Sequence, residues 1–331
     1  MTDFAEFHDE LRATARDVLA GEVGWAQVTR AGWPGLEVPE KFDGAGAGFA
    51  EVAVVLRELG RAAARGPYPA VALSVAALNL VEPEPVRDEL LRETGAGRVI
   101  PILVLDGDFR VEGARLSGSA EFVLDAPSAG CFLLPAPEGL VVADALSVTE
   151  QPVVDGTRSF GRVVADEAAV SSVLRFAVPE PLQLLRDRAA VAVACDSLGL
   201  SEAMLEATVA YAGIREQFGR KIGSFQAVKH ACADMYVQLR VAGKLVEAAV
   251  GGGSVEAAMA KSYVCAAAVD IVGKAMQLHG GIGYTWESGV HAFLKRATLN
   301  RSLFGSPAMH RRRLSERYRG VWPPAPAGRL S

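Results

Sequence analysis

The spacing of hydrophobic positions divides the chain into three parts. In residues 1–97, apolar residues recur at helical intervals between Gly- and Pro-rich turns, most clearly in the segment 49–64. In residues 98–178 the period shortens toward two, in short runs bounded by Gly, Pro or Asp. Such runs are typical of a small antiparallel sheet or barrel. Pro101 lies in the first run and predicts an edge position or a strand start, because proline has no N–H to donate.

The last part of the chain returns to long helical periods. Gly251 to Gly253 interrupt the pattern, and Ser254 directly after them has a side chain suited to an N-cap. Helices are predicted over 187–213, 226–250, 254–278 and 287–304. Four long helices with short links imply an antiparallel bundle.

The predicted fold class follows from this order of elements. It is an N-terminal helical domain (1–97), a small middle β-barrel or sheet domain (98–178) and a C-terminal four-helix bundle (179–320). A Pro-rich tail (321–331) follows, which we expect to be disordered.

Composition narrows the class of protein. The chain has 331 residues, 50% of them hydrophobic and 22% charged, which indicates a globular protein. A formal net charge of −5 gives no general attraction for nucleic acid. The first residues lack the apolar core of a secretory signal, and the longest apolar stretch, 68–81, is too short and interrupted to span a membrane. The four cysteines are scattered and the five histidines lack ligand spacing, so we expect no metal and a cytoplasmic location.

Two C-terminal segments carry a much more specific signal. They are REQFGRKIGSFQAVKHACADM at 215–235 and QLHGGIGYTWESGVHAFLKRATLNRSLFG at 277–305. Both closely resemble the acyl-CoA dehydrogenase family, and the loop and helix at 32–62 are similar to the family's opening region. The resemblance covers nearly the whole chain, and the order of domains agrees with it.

The resemblance implies a FAD-dependent α,β-dehydrogenation of an acyl-CoA thioester, with electrons passed to an electron-transfer flavoprotein or a similar acceptor. In that family a carboxylate removes the α proton and the flavin accepts the β hydrogen as hydride. The R-x-x-F-G and Q-x-x-G-G motifs meet the FAD of a neighbouring subunit. Here those positions are Arg215, Gln217, Phe218, Gln277, Gly280 and Gly281. Taken alone, the first motif could be a helix C-cap and the second an ordinary helix stop.

The chain departs from the family at the catalytic carboxylate. In many members the base is a Glu after the second motif, and ungapped counting from Gly280 places it on Phe304. In a second group the Glu lies on the first bundle helix, and counting back from Arg215 places it on Ala189. Asp187 is a candidate base, although two residues rotate a helix by about 200° and should turn it elsewhere. The alternative for Asp187 is a solvated or helix-N-terminal acid.

The middle domain also differs from the family's sequence pattern. The family's Thr-Glu-Pro segment is absent, and AEFVLDA places Phe122 and Leu124 where the family has the Trp and Thr that cover the flavin ring. A leucine cannot hydrogen-bond a flavin.

These departures suggest an asymmetric subunit. The sequence resembles the shorter chain of the α2β2 acyl-CoA dehydrogenases of steroid-degrading actinobacteria, in which a full-length partner supplies the base and one FAD lies at each interface. A steroid side-chain CoA thioester is the substrate class that this resemblance implies. Two alternatives stay open: a self-sufficient homo-oligomer using Asp187, and a non-catalytic relative that has lost FAD.

Overall fold

The computed structural model describes residues 4–21 and 23–317. Its N-terminal part is helical, with α1 (Phe4–Leu19), α2 (Trp25–Arg30), α3 (Phe49–Arg61), α4 (Tyr68–Asn79) and α5 (Pro85–Gly95). Helix α4 is buried on nearly all sides, because its Ala-, Val- and Leu-rich sequence lies between the first strand of the middle domain and the C-terminal helices.

The middle part contains two four-stranded sheets. Its strands are β1 (Pro101–Leu103), β2 (Asp108–Glu112), β3 (Arg115–Leu124), β4 (Cys131–Ala136), β5 (Gly139–Ala143), β6 (Ser147–Glu150), β7 (Phe160–Ala169) and β8 (Ser172–Leu174). One sheet has the order β2-β3-β7-β6 and is antiparallel, and the other has the order β1-β4-β5-β8. The pair β1 and β4 is parallel, which corrects the expectation of a purely antiparallel arrangement. Pro101 begins the edge strand β1, as predicted.

The C-terminal part is a bundle of long helices. Its elements are α6 (Pro181–Ile214), β9 (Glu216–Gln217), β10 (Arg220–Lys221), α7 (Gln226–Val250), α8 (Ser254–His279), α9 (Val290–Ser302) and α10 (Pro307–Glu316). Helix α7 has the predicted bounds, whereas α6 begins earlier than predicted, and the predicted fourth helix ends at Ser302 before a separate α10. The N-cap of α8 is Gly253 and not Ser254, and the Gly253 N–H donates to the Glu256 carboxylate at 3.0 Å.

The predicted order of a helical part, a sheet part and a helical bundle is confirmed, with open sheets in the described middle part instead of a barrel. Within those same described residues, none of the helices has the length and apolar character needed to cross a bilayer. The tail at 321–331 and the last residues of the predicted bundle domain, 318–320, lie outside the described residues.

Two glycines fix how the N-terminal helices meet the bundle. A Cβ at Gly60 on α3 would lie 2.0 Å from the carbonyl oxygen of Asp196, and a Cβ at Gly199 on α6 would lie 1.8 Å from that of Arg57. Since neither distance is sterically possible, α3 and α6 cross with their backbones in contact.

Candidate functional site

The R-x-x-F-G motif forms a tight hairpin at the end of α6. Arg215 is the C-cap of this helix, and strands β9 and β10 follow it as an antiparallel pair. Phe218 and Gly219 form the turn with φ of 55° and 74°, and two positive φ angles are what a type I′ turn requires. Phe218 is thereby held out from the bundle, with 91% of its surface exposed.

The Q-x-x-G-G motif lies at the same end of the bundle. Helix α8 ends at His279, and Gly280 takes a positive φ of 63° that lets the chain turn away. The His279 ring stacks on Tyr211 of α6 with centroids 4.6 Å apart, which joins the two motifs. Gln277 and Gly281 are exposed.

This end of the bundle presents an unusual surface, which we call the end face. It combines the Arg215 guanidinium with the exposed apolar side chains of Ile214, Phe218, Ile282, Tyr284 and Trp286. Among the described residues, no carboxylate lies within ion-pair distance of Arg215. A guanidinium offers paired donors that suit a pyrophosphate, and an exposed aromatic ring can pack on a planar heterocycle. The end face could therefore hold part of a dinucleotide that belongs to another chain.

The two positions of the family's base come together at a different place. Phe304 and Ala189 line one cavity of about 20 Å³, together with Leu73, Val193 and Leu303. A space of that size admits about one water molecule and no acyl chain. The structure thus brings these two positions together at one cavity, and both side chains are apolar.

A buried lysine fixes the segment that carries Phe304. The Lys261 ammonium donates to the carbonyl oxygens of Asn300 at 2.7 Å and Arg301 at 3.3 Å, which caps the C-terminus of α9. Burial lowers the pKa of Lys261. His310 Nε2 donates to the Phe304 carbonyl oxygen at 3.0 Å. These bonds hold the phenyl ring in the cavity.

One carboxylate lines the same cavity, but it is fully engaged. Asp196 accepts from Arg296 at 2.5 and 2.9 Å, from Arg158 at 2.8 Å and from the Asn300 amide at 2.7 Å. Burial alone would raise the pKa of Asp196, but the two guanidinium groups and the hydrogen bonds lower it to about 2. Such a group does not accept a proton readily at neutral pH, so it is an interdomain ion pair and not a general base.

This buried network joins all three parts of the chain and was missed from sequence. Asp196 belongs to α6, Arg296 and Asn300 to α9, and Arg158 to the loop before β7. Arg296 also donates to the carbonyl oxygen of Ala64 at 2.7 Å, just after α3. The available signal was an aspartate inside the apolar run 189–200, since a charge in such a run needs a buried partner.

Asp187 lies outside this cavity. As the helical rotation predicted, it faces another direction, into a cleft beside the turn between α7 and α8. Its carboxylate accepts from Gln183 at 2.9 Å, from Arg313 at 2.8 Å and from the Ser254 hydroxyl. The alternative of a solvated acid was wrong, because Asp187 is buried and ion-paired.

The surface where the family covers its own flavin ring is also altered. Phe122 sits at an irregularity of β3 with a positive φ of 51°, and its N–H donates to Gln151 Oε1 at 2.6 Å. The groove between Phe122, Leu124 and Phe304 measures about 120 Å³, well below the ~300–1,000 Å³ of small-molecule sites. The carboxylates of Asp106 and Glu121 line it and are ion-paired with Arg186 at 3.3 Å and Arg162 at 2.9 Å. The residues here do not fit FAD.

Comparisons with known proteins identify relatives of this chain. The N-terminal domain model of the acyl-CoA dehydrogenase family matches residues 2–92, and the C-terminal domain model matches residues 183–318. Acyl-CoA dehydrogenase IpdE2 of Mycolicibacterium smegmatis is 34% identical over 280 residues, which cover 84% of this chain and 82% of the relative. IpdE2 of Mycobacterium tuberculosis is 33% identical over 317 residues, which cover 94% and 92%.

Solved structures of other proteins also resemble this chain. A variant of the Tcur3481-Tcur3483 steroid ACAD superposes with a TM-score of 0.87 at 25% identity, over 96% of this chain and 99% of that chain. The ChsE4-ChsE5 complex from Mycobacterium tuberculosis has a TM-score of 0.86 at 24% identity, over 96% and 98%, which supports the fold.

Proposed function

Since the chain belongs to the acyl-CoA dehydrogenase family, whose members oxidise the CH–CH bond of acyl-CoA thioesters, we propose that it acts as a subunit completing a partner's FAD site. The partner is a full-length acyl-CoA dehydrogenase chain that carries the catalytic carboxylate. The observation that carries the proposal is a contrast: the end face is exposed and intact, while the chain's own cavity is closed by Phe304.

Each end-face residue has a physical role in this proposal. Arg215 neutralises the FAD pyrophosphate with paired N–H donors. Phe218 lies at the tip of a rigid two-residue turn and packs on the cofactor with little loss of conformational freedom. Gln277, Gly280 and Gly281 meet the adenosine half, where the open space around both glycines lets a ligand approach the backbone. Gln217 lies in the same hairpin and is exposed.

The partner provides the chemistry. FAD, when bound, accepts the β hydrogen of the substrate as hydride, and an electron-transfer flavoprotein or similar acceptor reoxidises it. For the substrate class we propose a bulky acyl-CoA, of the steroid side-chain type, because a solved relative is a steroid ACAD. The four free cysteines suit a reducing compartment, and we place the complex in the cytoplasm.

Flavin content per chain tests the shared site. We expect little FAD on the chain purified alone, and about one FAD per pair of chains when it is co-expressed with its full-length partner. The measurement is flavin absorbance against protein concentration. A full FAD on every chain of a lone homo-oligomer would overturn the proposal and return Asp187 to the position of candidate base.

A variant of Arg215 tests whether the end face contacts the partner's FAD. Arg215→Ala in this chain should reduce the flavin content of the co-purified complex at least about tenfold at limiting FAD, because a charge-assisted contact to pyrophosphate is lost. The matched control is Arg110→Ala, an exposed arginine on β2, far from the end face in sequence and in another domain. Unchanged flavin content in Arg215→Ala would exclude this face as the FAD contact.

A further inference from the structure

A second cleft lies apart from both the end face and the closed cavity. It measures about 400 Å³, within the ~300–1,000 Å³ range of small-molecule sites, and it is lined by the loop before α3, by α4, by the start of α6 and by the α7–α8 turn. Among the described residues that line it, none comes from the middle domain. It is therefore separate from the groove where the family holds its flavin ring.

The charged groups of this cleft are already engaged with one another, apart from one oxygen. Arg188 forms an ion pair with Glu37 Oε2 and stacks on the Phe49 ring at 3.9 Å. Both oxygens of Asp187 accept hydrogen bonds from its neighbours. Glu37 Oε1 is bonded to no donor within the part of the chain that the structure describes, and the Glu37 side chain remains 11% exposed.

The charges that line the cleft indicate which kind of ligand it can bind. Among its described lining residues the cleft offers one uncommitted carboxylate oxygen, beside the unpartnered but buried Asn79 Oδ1, and no uncommitted cation. The phosphates of a CoA thioester therefore find no partner there. Burial raises the pKa of Glu37, an effect that Arg188 opposes, and a donor reaching Oε1 would compensate this desolvation. The walls are apolar, and Leu184 at the mouth is 48% exposed although it is a leucine.

We propose that this cleft is a binding site for an uncharged apolar ring system that carries one N–H or O–H donor, of the indole or phenol type. The apolar body packs on Leu80, Leu184 and Val250, and the donor bonds to Glu37 Oε1. Two sources could supply this chemistry. One is a free small molecule; the other is the indole of Trp322 of this chain, which lies outside the described residues, five positions beyond Arg317. Five extended residues span about 17 Å, and Arg313 on α10 touches the cleft through Asp187.

Two small-molecule probes measure the contribution of the ligand's N–H donor to binding. Indole and 1-methylindole differ in the N–H, and we expect indole to bind the co-purified complex about tenfold more tightly or better, by calorimetric titration. Leu184→Trp should fill the mouth and abolish indole binding, whereas Val154→Trp, at an exposed valine in the loop before β7, should leave it unchanged. Equal binding of the two probes, or indole binding that survives Leu184→Trp, would overturn the proposal.

Trp322→Ala separates the two sources. A rise in indole affinity in this variant identifies Trp322 as a competing occupant, and unchanged affinity identifies a ligand from outside the chain. Absence of indole binding to both the unaltered complex and Trp322→Ala would also overturn the proposal. Flavin absorbance is recorded on every sample, so failure of this cleft and failure of the shared FAD site are distinguishable.

Discussion

Asp125 carries a carboxyl whose ionisation is strongly set by its surroundings. It is 3% exposed at the end of β3, near Arg158 and Arg296, and its Oδ2 has no hydrogen-bond partner. Burial raises the pKa of Asp125 from 3.8 to about 7, although the two guanidinium groups oppose the shift. At neutral pH this carboxyl therefore carries a proton for part of the time.

The pH dependence of stability follows from that shift. A group with a raised folded-state pKa stabilises the fold fully below its unfolded pKa, and the contribution is lost as pH rises through about 7. Between pH 5 and pH 8 we expect ionisation of Asp125 to lower the free energy of unfolding by roughly 2–3 kcal/mol. In Asp125→Asn, which cannot ionise, we expect no such decrease. Thermal unfolding midpoints of both proteins across this range test it. Parallel curves for the two proteins would contradict the assignment.

Arg296 is the centre of the buried network and cannot be replaced by an apolar side chain without cost. Arg296→Met leaves Asp196 with one guanidinium in place of two and removes the bond to the Ala64 carbonyl. Breaking a buried ion pair in this way costs about 3–5 kcal/mol. The control is Arg301→Met, an exposed position on the same helix, expected to stay within about 0.5 kcal/mol. Denaturant midpoints measure both, and equal midpoints would show that the pair contributes nothing.

At the scale of elements, the crossing of α3 and α6 depends on two glycines. Gly199→Ala would place a methyl group 1.8 Å from the Arg57 carbonyl oxygen, so the two helices must separate. We expect a loss of about 3 kcal/mol or more, because the contact involves backbone that cannot rotate away. Gly213→Ala on the same helix meets nothing within 4 Å and should be neutral or stabilise by roughly 0.5–1 kcal/mol. Equal unfolding midpoints for Gly199→Ala and the unaltered protein would contradict the steric role of Gly199 in the crossing.

Local signals were enough to predict some elements and not others. The glycine triplet after α7 and the period of 3.6 within it gave its bounds correctly, because both are properties of neighbouring residues. The end of the fourth helix was predicted at Phe304, two residues beyond the observed Ser302, whereas α10 was not predicted. The end of α9 is fixed by the Lys261 ammonium from α8, and such a partner is far away in sequence. The parallel pairing of β1 with β4 likewise depends on partners far apart in sequence.

The same distinction holds for the candidate sites. The motif residues at the end face are close in sequence within each hairpin or helix end, so a resemblance could locate them. The ion pair of Asp196 with Arg296 joins residues 100 positions apart, and the cleft beside Glu37 is built from four separate segments. The apolar run around Asp196 signals a buried charge, but no local pattern identifies its partner or the segments that form the cleft, and both required the folded chain.

For the whole molecule, the end face leaves several large apolar side chains exposed. Phe218 is 91% and Trp286 is 76% exposed, which leaves apolar area uncovered in the isolated chain. Exposed apolar side chains that cluster in this way are typical of interaction sites and promote association. We therefore expect the chain to self-associate or precipitate when it is expressed alone, and to form a discrete complex with its partner.

Removing the two aromatic side chains tests whether they cause the self-association of the isolated chain. The double variant Phe218→Ser and Trp286→Ser should shift the isolated chain toward monomer in size-exclusion chromatography with light scattering, and it should also lower the flavin content of the complex. Phe122→Ser removes another exposed phenylalanine, 56% exposed but on the middle domain, and should change neither property. A monodisperse monomer of the unaltered chain would contradict the expectation. Reduced self-association with normal flavin content would indicate two separate roles in the end face. The aromatic side chains would then contact the partner's surface, and Arg215 would contact its cofactor.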